Sequence, residues 1–201
     1  EPDYSTSLED TLGEVAKLHQ EGKILSLGVS NFAAWQIAEA KHVAQAVGAP
    51  QPVVAQQLYN LVARRIETEY LPFAQSCGVQ TMVYNPLGGG LLTGRHNFGQ
   101  QPQEGRFGSS RLASMYTERY WDENLFKGIE ALGALAKDAG ITLIELSLRW
   151  LLHRPLVSAV LLGGSKPPQL EENIASAARG PLPDDVVAAC DEVGAALAGP
   201  M

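Results

Sequence analysis

Small polar residues and glycines stand at the ends of several short apolar runs in this 201-residue chain. Ser30 and Asn31 follow one run, Gln56 lies near the end of a second, and glycines occur at 88–90 after a third and at 163–164 after a fourth. Hydroxyl and amide groups can hydrogen-bond an amide-bearing ligand. Glycines let the backbone come close to an anion, and their N–H groups can line a concavity for it. These residue types therefore suit a ligand that carries both an amide and phosphates.

Each of these groups also has a simpler interpretation. A Ser-Asn pair after a strand is commonly turn chemistry, and three consecutive glycines often form a flexible loop. Neither group fits G-x-G-x-x-G, so the Rossmann fingerprint is absent. Ser165 precedes a predicted helix, and the N-terminus of a helix attracts phosphate. Taken singly, each of these features is only a weak indication of a ligand-binding site.

The elements that must position these residues alternate between helix and strand. Apolar periodicity and end signals predict strands at 24–29, 52–58, 79–84 and 158–162, and helices at 8–20, 33–47, 67–77, 120–139, 143–153, 168–178 and 184–197. A polar loop covers 93–115, and loops of that length tend to be functional. Alternation of this kind predicts a parallel α/β sheet with right-handed crossovers, whose active-site face is the carboxyl end of the strands.

Length and composition predict a single domain over residues 1–201, with 45% hydrophobic and 18% charged residues. A closed (β/α)8 barrel needs eight strands and about 250 residues, whereas only about four strands are predicted here. The pattern alone fits either a small doubly wound sheet or half of a barrel.

Charge and cysteine usage exclude several classes of function. The net charge of −7 argues against a nucleic-acid surface, which needs a basic stripe. There is no apolar run of about 18 residues and no signal peptide, so no membrane span is predicted. Cys77 and Cys190 lie far apart, as reduced thiols of a cytoplasmic protein would. The chain opens on Glu1 without an initiator methionine, which suggests that residues precede it.

Four ordered segments resemble the aldo-keto reductases. They are Gly22-Lys23 with Leu27-Gly28-Val29-Ser30-Asn31-Phe32, then Gln56-Gln57-Leu58-Tyr59-Asn60, then Tyr84 to Arg95 (YNPLGGGLLTGR), and finally Gln169-Leu170-Glu171-Glu172-Asn173. The resemblance implies the C-terminal half of a (β/α)8 TIM barrel, about four βα units, which lacks the N-terminal strands.

Further segments resemble the aflatoxin-aldehyde and succinic-semialdehyde reductases within that family. They are Asn85, Gly105-Arg106-Phe107, the stretch from Tyr116 to Trp121, and Gly180-Pro181-Leu182. Dimers occur in this branch, which leaves a homodimer open. The resemblance implies a small aldehyde or ketone as substrate.

The resemblance implies that most of the polar residues and glycines after the strands bind NADP(H). Ser30, Asn31 and Gln56 would bind the nicotinamide carboxamide, Tyr84 would stack on the ring, and Arg106 would be a second cation on the cofactor. The pyrophosphate would be wrapped by Asn85, Pro86, Leu87, Gly88, Gly89, Gly90, Leu91, Leu92, Thr93, Gly94 and Arg95. The 2′-phosphate would lie near Ser165, Lys166 and Gln169, and the adenine near Glu172 and Asn173. Lys166 would favour NADP over NAD.

Tyr116 and Arg119 are the candidate substrate residues. Arg119 would pair with a carboxylate such as that of a semialdehyde acid, although an ion pair on the helix surface is the alternative. The family's Asp, Tyr and Lys, which carry out acid catalysis, belong to earlier strands that this chain does not contain. Its His belongs to an H-x-P-D-like segment, so it would directly precede Glu1. None of His19, His42, His96 and His153 fits that place, and no metal spacing occurs.

The sequence thus predicts no catalytic residue in this chain and no activity for the chain alone. The first interpretation is an NADPH-dependent reductase as the complete protein. The second is a non-catalytic cofactor-binding module similar to potassium-channel β-subunits. The third is an unrelated small doubly wound domain that binds an anion.

Overall fold

A computed structural model describes residues 1–100 and 102–197 of the chain. The fold is α/β, with four strands and eight α-helices in the described residues. The strands are β1 Leu27–Ser30, β2 Pro52–Leu58, β3 Gln80–Tyr84 and β4 Ala159–Val160. The helices are α1 Leu8–Gln20, α2 Ala34–Val47, α3 Tyr70–Cys77, α4 Ala113–Tyr120, α5 Glu123–Asp138, α6 Leu143–Leu152, α7 Pro167–Ala177 and α8 Asp184–Leu197.

The chain divides into two compact units, each described here by itself. The first unit contains Glu1–Leu58, Ile66–Val83 and Leu156–Ala159. The second contains Tyr59–Arg65, Tyr84–Pro155 and the residues from Val160 onward. The strands form one sheet in the order β1-β2-β3-β4, in keeping with the sequential βα pattern.

In the first unit, β1 and β2 pair in parallel, with Ser30 opposite Gln56 at their carboxyl ends. Helices α1 and α2 pack against each other, since Leu12, Ala40 and Ala44 form one core cluster, and Leu27 of β1 packs against that cluster. A second cluster gathers around Ile37 and joins α2, α3 and β2. This packing fixes the strand ends where the polar residues stand.

In the second unit, α6 is the most buried helix of those described. Thr142 caps it by accepting the Glu145 amide, and eight of its ten residues are buried. Burial on nearly all sides is typical of a helix at the centre of a unit.

The structure agrees with most predicted elements and differs at the polar loop, at the helix predicted over 120–139 and at two strands. The stretch predicted as loop up to 115 contains the start of α4, and the helix predicted over 120–139 is divided near Trp121. Asp122 causes the division, because its carboxylate accepts the amides of Asn124 and Leu125 as the N-cap of α5. Predicted strands 24–29 and 158–162 are shorter, at Leu27–Ser30 and Ala159–Val160. No helix in the described ranges has the length and hydropathy of a membrane span.

Candidate functional site

The three predicted carboxamide-binding residues meet at the carboxyl ends of β1 and β2. The Ser30 hydroxyl donates to Gln56 Oε1 at 3.1 Å. The Asn31 amide donates to the Gln56 carbonyl at 2.9 Å, which extends the strand pairing by one residue. All three side chains are half-buried, so they are held in place yet keep access to a ligand.

Asn31 holds an unusual backbone conformation, with φ of 56°. Asparagine tolerates this left-handed region better than most residues, and such conformations gather at functional sites. Its side chain donates to Glu1 Oε1 at 2.7 Å. Beside it, Ser30 and Gln56 line a cavity of about 440 Å³ in the first unit, whose other walls are mainly apolar side chains of α1 and β1.

In the second unit, β3 ends at Tyr84 and runs into the segment Asn85–Arg95, called here the glycine loop. Its backbone is left-handed at Asn85, with φ of 59°, and at Gly88, Gly89, Gly90 and Gly94. A run of residues with positive φ is what glycine makes accessible, and the loop folds into an irregular 3₁₀ segment over Gly88–Thr93. Leu91 and Leu92 are buried, which anchors the loop in the second unit.

The glycine loop uses its own amides differently from the expectation. The Gly88 amide donates to the Asn85 carbonyl at 3.1 Å, and the Gly90 amide donates to the Leu87 carbonyl at 2.9 Å. The Gly89 amide donates to Asn85 Oδ1 at 2.7 Å. These three N–H groups are therefore engaged within the chain, and they do not form the open anion concavity that the sequence predicts. Anion binding at this loop would depend on other groups, such as the exposed Arg95.

A buried side-chain network lies under the glycine loop. Asn85 Nδ2 donates to the Tyr120 hydroxyl at 3.0 Å. Asn60, which is wholly buried, donates to the Asn85 carbonyl at 2.9 Å and to the Tyr120 hydroxyl at 3.4 Å. Burial raises the pKa of Tyr120, and the hydrogen bond from Asn60 acts in the opposite direction. Neither Asn60 nor Tyr120 was among the predicted site residues.

Arg106 and Tyr116 contact each other. The Arg106 guanidinium donates to the Tyr116 hydroxyl at 2.8 Å. The Tyr116 ring lies against Gly89, where an added Cβ would come within 2.7 Å of the ring. The predicted cofactor cation and the predicted substrate tyrosine thus share one contact, and Tyr116 is buried, with 5% of its surface exposed.

Arg119 is exposed on α4, and its guanidinium carbon lies 6.0 Å from the Tyr120 ring centroid. No carboxylate in the described part of the chain makes an ion pair with it. The alternative of a helix-surface ion pair therefore has no support there. His96 packs edge-on against Phe107, and burial together with the Arg95 charge lowers the pKa of His96.

The predicted 2′-phosphate residues cluster at the start of α7. Gln169 Oε1 accepts the Ser165 amide at 2.9 Å, the Ser165 hydroxyl at 3.0 Å and the Lys166 amide at 3.2 Å. Pro167 and Pro168 have no N–H, so the first helical turn offers few donors. The Gln169 carboxamide satisfies the donors that a phosphate oxygen would use, while the Lys166 side chain remains exposed.

The two predicted adenine residues differ in environment. Asn173 is buried and donates to the Gly163 carbonyl at 3.2 Å, which ties α7 to the loop after β4. Glu172 is exposed. Asn173 is therefore engaged in holding the Gly163–Ser165 turn, and Glu172 is free to meet solvent or ligand.

The structure brings predicted residues together within each unit. Ser30, Asn31 and Gln56 meet in the first unit; in the second, Asn85, the glycines, Tyr116 and Arg106 are in contact, as are Ser165, Lys166 and Gln169. Asn60 ends the segment Gln56–Asn60 and lies just after β2, and this position could have identified it as a candidate site residue.

Among the described residues, the cysteines and acidic side chains form no second candidate site. Cys77 is exposed and Cys190 buried, both unpaired, and burial raises the pKa of the Cys190 thiol to about 11. No cluster of three or more potential metal ligands occurs in the described ranges.

Taken together, the fold and the placement of the polar residues define a portion of a (β/α)8 barrel with its functional residues after the strands. Residues 1–195 match the aldo/keto reductase family. The chain belongs to this family.

Relatives give the same assignment. Human aldo-keto reductase family 7 member A3 is 41% identical over 95% of the chain and 61% of its own length. Human aflatoxin B1 aldehyde reductase member 4 is 39% identical with the same coverage. A probable voltage-gated potassium channel subunit beta of Arabidopsis thaliana is 33% identical over 86% of the chain and 53% of its own length. The chain thus spans about 61% of the length of the first two relatives, as a C-terminal portion. The family match excludes the unrelated anion-binding domain.

Proposed function

We propose that the whole protein is an NADPH-dependent reductase of aldehydes and ketones, and that this chain supplies most of the cofactor site and part of the substrate site. The contact between Ser30 and Gln56, with Asn31 beside them, carries the proposal. A carboxamide presents a carbonyl acceptor and two N–H donors. The hydroxyl and amide groups at these strand ends can match both functions.

The residues fit a nicotinamide cofactor, which when bound supplies hydride to a carbonyl carbon. Ser30, Asn31 and Gln56 would fix the carboxamide and hence the orientation of the ring. Tyr84 would give the ring an aromatic face. In this proposal the proton reaches the product oxygen from an acid on an earlier strand, so this chain orients the cofactor and does not move the proton.

Side chains of the second unit would bind the phosphates of the cofactor. Arg95 is exposed and would pair with the pyrophosphate, and Arg106 would add a second cation by leaving the Tyr116 hydroxyl. Lys166 would favour NADPH through its charge on the 2′-phosphate. Phosphate binding there would require the Gln169 carboxamide to yield the donors of Ser165 and Lys166.

The substrate would be a small aldehyde or ketone. Relatives named aflatoxin B1 aldehyde reductase support an aldehyde. The exposed Arg119, which has no ion-pair partner in the described ranges, would bind a carboxylate on that substrate. A homodimer and a cytoplasmic location are part of the same proposal.

A direct test uses the complete protein. Titration with NADPH is expected to quench tryptophan fluorescence more strongly than titration with NADH. NADPH is then expected to be oxidised when succinic semialdehyde or 2-nitrobenzaldehyde is added. No binding of NADPH by the folded complete protein would contradict the proposal.

A second candidate is a cofactor-binding module without catalysis, favoured by the identity to the potassium channel subunit. The upstream sequence separates the two. An intact Asp, Tyr, Lys and His set supports the reductase, and substitutions in that set support the module. In the second case NADPH binds but is not oxidised.

A further inference from the structure

We infer that Tyr120 and Asn60 are positioning residues for the glycine loop, and that they set the affinity of the protein for the phosphates of its cofactor. The inference rests on the proposed function, because it assumes that the glycine loop meets the cofactor. It concerns two residues that touch neither cofactor nor substrate in the proposed arrangement.

Asn85 has a left-handed backbone conformation, with φ of 59°. Asn31 and Asn85 are the two non-glycine residues with positive φ in the described ranges. Such a conformation is strained for a residue with a side chain, and it persists where surrounding contacts hold it. Asn85 Nδ2 donates to the Tyr120 hydroxyl, and Asn85 Oδ1 accepts the Gly89 amide. The Asn85 carbonyl accepts both the Asn60 side-chain amide and the Gly88 backbone amide.

The Asn85 side chain connects Tyr120 to the middle of the glycine loop. Asn85 Oδ1 accepts the Gly89 amide at 2.7 Å, so the rotamer of Asn85 determines where the middle of the loop lies. Asn85 can keep that rotamer because its other side-chain atom, Nδ2, donates to Tyr120. Removing the Tyr120 hydroxyl leaves a polar atom without its acceptor next to the loop, and rotation of the Asn85 amide would release Gly89.

The two side chains that hold Asn85 come from separate parts of the chain. Asn60 follows β2 and Tyr120 ends α4, so two separate elements converge on one residue of the loop. Asn60 is 0% exposed and Tyr120 is 1% exposed. Asn60 is itself fixed, since its Oδ1 accepts the Val62 amide at 3.0 Å. A rigid, fully buried pair under a glycine-rich loop preorganises the loop before a ligand arrives.

The test compares Tyr120→Phe with Tyr70→Phe in the complete protein. Tyr70 is a matched control, because it is a buried tyrosine whose hydroxyl contacts Thr81 at 3.2 Å, within the first unit. We expect Tyr120→Phe to raise the Kd for both NADPH and NADH about fivefold, and to leave their ratio unchanged. Tyr70→Phe is expected to change neither Kd. Both variants lose some thermal stability, so stability alone does not distinguish them.

Asn85→Gly gives a second measurement that keeps the positive φ and removes the side-chain bonds. If Tyr120 acts through Asn85, the Kd of the Tyr120→Phe/Asn85→Gly double variant for NADPH is no higher than the larger of the two single-variant Kd values. If the two residues act independently, the fold-changes in Kd multiply. An unchanged Kd in Tyr120→Phe, an equal change in Tyr70→Phe, or multiplied effects would overturn the inference. If the wild-type complete protein binds no NADPH, the proposed function fails first. If Tyr120→Phe does not fold, Asn60→Asp and Asn85→Gly carry the same comparison of Kd values.

Discussion

At the carboxyl end of β2, Gln56 serves two purposes with different atoms. Its backbone carbonyl accepts the Asn31 amide and so continues the sheet, while its side-chain oxygen accepts the Ser30 hydroxyl. The side-chain NH2 group is left to donate elsewhere. A residue that joins the strand by its backbone can present its side chain with little freedom, which favours a fixed ligand geometry.

Replacement of Gln56 by Leu tests this arrangement. The side chain keeps a similar size but loses its acceptor and donors, so we expect kcat/KM for the aldehyde, measured in the complete enzyme, to fall about tenfold. Steady-state NADPH oxidation provides the measurement. Gln80→Leu, an exposed position at the start of β3, is the matched control and is expected to keep full activity. Equal activity of the two variants would argue against a role for Gln56.

Replacement of Lys166 tests, at the scale of one residue, the preference of the protein for NADPH over NADH. Its ammonium group is exposed at the start of α7, so its removal should cost little stability. We expect Lys166→Ala to raise the Kd for NADPH about fivefold and to leave the Kd for NADH unchanged, because only NADPH has the 2′-phosphate. Lys137→Ala in α5 removes an equivalent exposed charge as the control. A parallel loss for both cofactors would assign Lys166 to another part of the dinucleotide.

At the scale of elements, the Asp191 carboxylate attaches α8 to residues of neighbouring segments. Asp191 makes an ion pair with Arg64 at 3.0 Å and with Arg154 at 2.9 Å, and it accepts the Trp150 indole N–H at 3.0 Å. Both guanidinium groups also lie over the Trp150 ring. Gly194, one turn further on, leaves the space that Arg64 fills. One side chain thereby joins α8, α6 and the segment after β2.

The pKa of Asp191 predicts how this attachment responds to acid. Burial acts to raise the pKa of the carboxyl, but Arg154, Trp150 and Arg64 outweigh it and lower the pKa. The stabilisation is therefore present above the unfolded-state pKa of about 4 and is lost as the pH falls through the folded-state value. We expect Asp191→Asn to cost about 1–2 kcal/mol at neutral pH, allowing for solvent screening, and less as the pH falls.

Chemical denaturation of the complete protein at neutral pH and in acid measures this difference. Asp185→Asn is the control on the same helix, because Asp185 is exposed in its first turn. That variant is expected to lose only a few tenths of a kcal/mol. A cost for Asp191→Asn that stays constant with pH would contradict the assignment of the acid response to this carboxylate.

At the scale of elements, periodicity predicts a helix well where that helix buries a broad apolar stripe, as α2 does with Ala34, Ile37, Ala40, Val43 and Ala44. It failed at α4, because the helix buries only Tyr116 and Tyr120 and has no side-chain N-cap. The sequence shows that Asn85 lies close to the glycines along the chain, but it does not predict that the Asn85 side chain contacts Gly89. That contact needs a left-handed backbone and a tyrosine that lies 35 residues away along the chain. Long-range contacts of this kind leave no local pattern.

At the scale of the whole molecule, the sheet leaves β1 with one strand neighbour in the described residues. The cavity beside it is lined by α1 side chains such as Leu12 and Val15 and by Val29 of β1. An unpaired strand edge next to apolar side chains is a site for pairing with further chain. The chain spans 61% of the length of two relatives, so each of them has further residues beyond the matched part.

The last prediction concerns the 201-residue chain by itself. The resemblance assigns the catalytic Asp, Tyr, Lys and His to segments outside it. Under the proposed function, the chain would hold residues that orient the cofactor but no proton donor for the carbonyl oxygen. General acid catalysis commonly contributes about 10²–10⁴-fold to a rate. We therefore expect no oxidation of NADPH above background with 2-nitrobenzaldehyde or succinic semialdehyde, while the complete protein assayed in parallel turns both over. Turnover by the purified chain would show that a proton donor lies within residues 1–201. His96, held among aromatic side chains beside Arg95, would then be the first residue to replace.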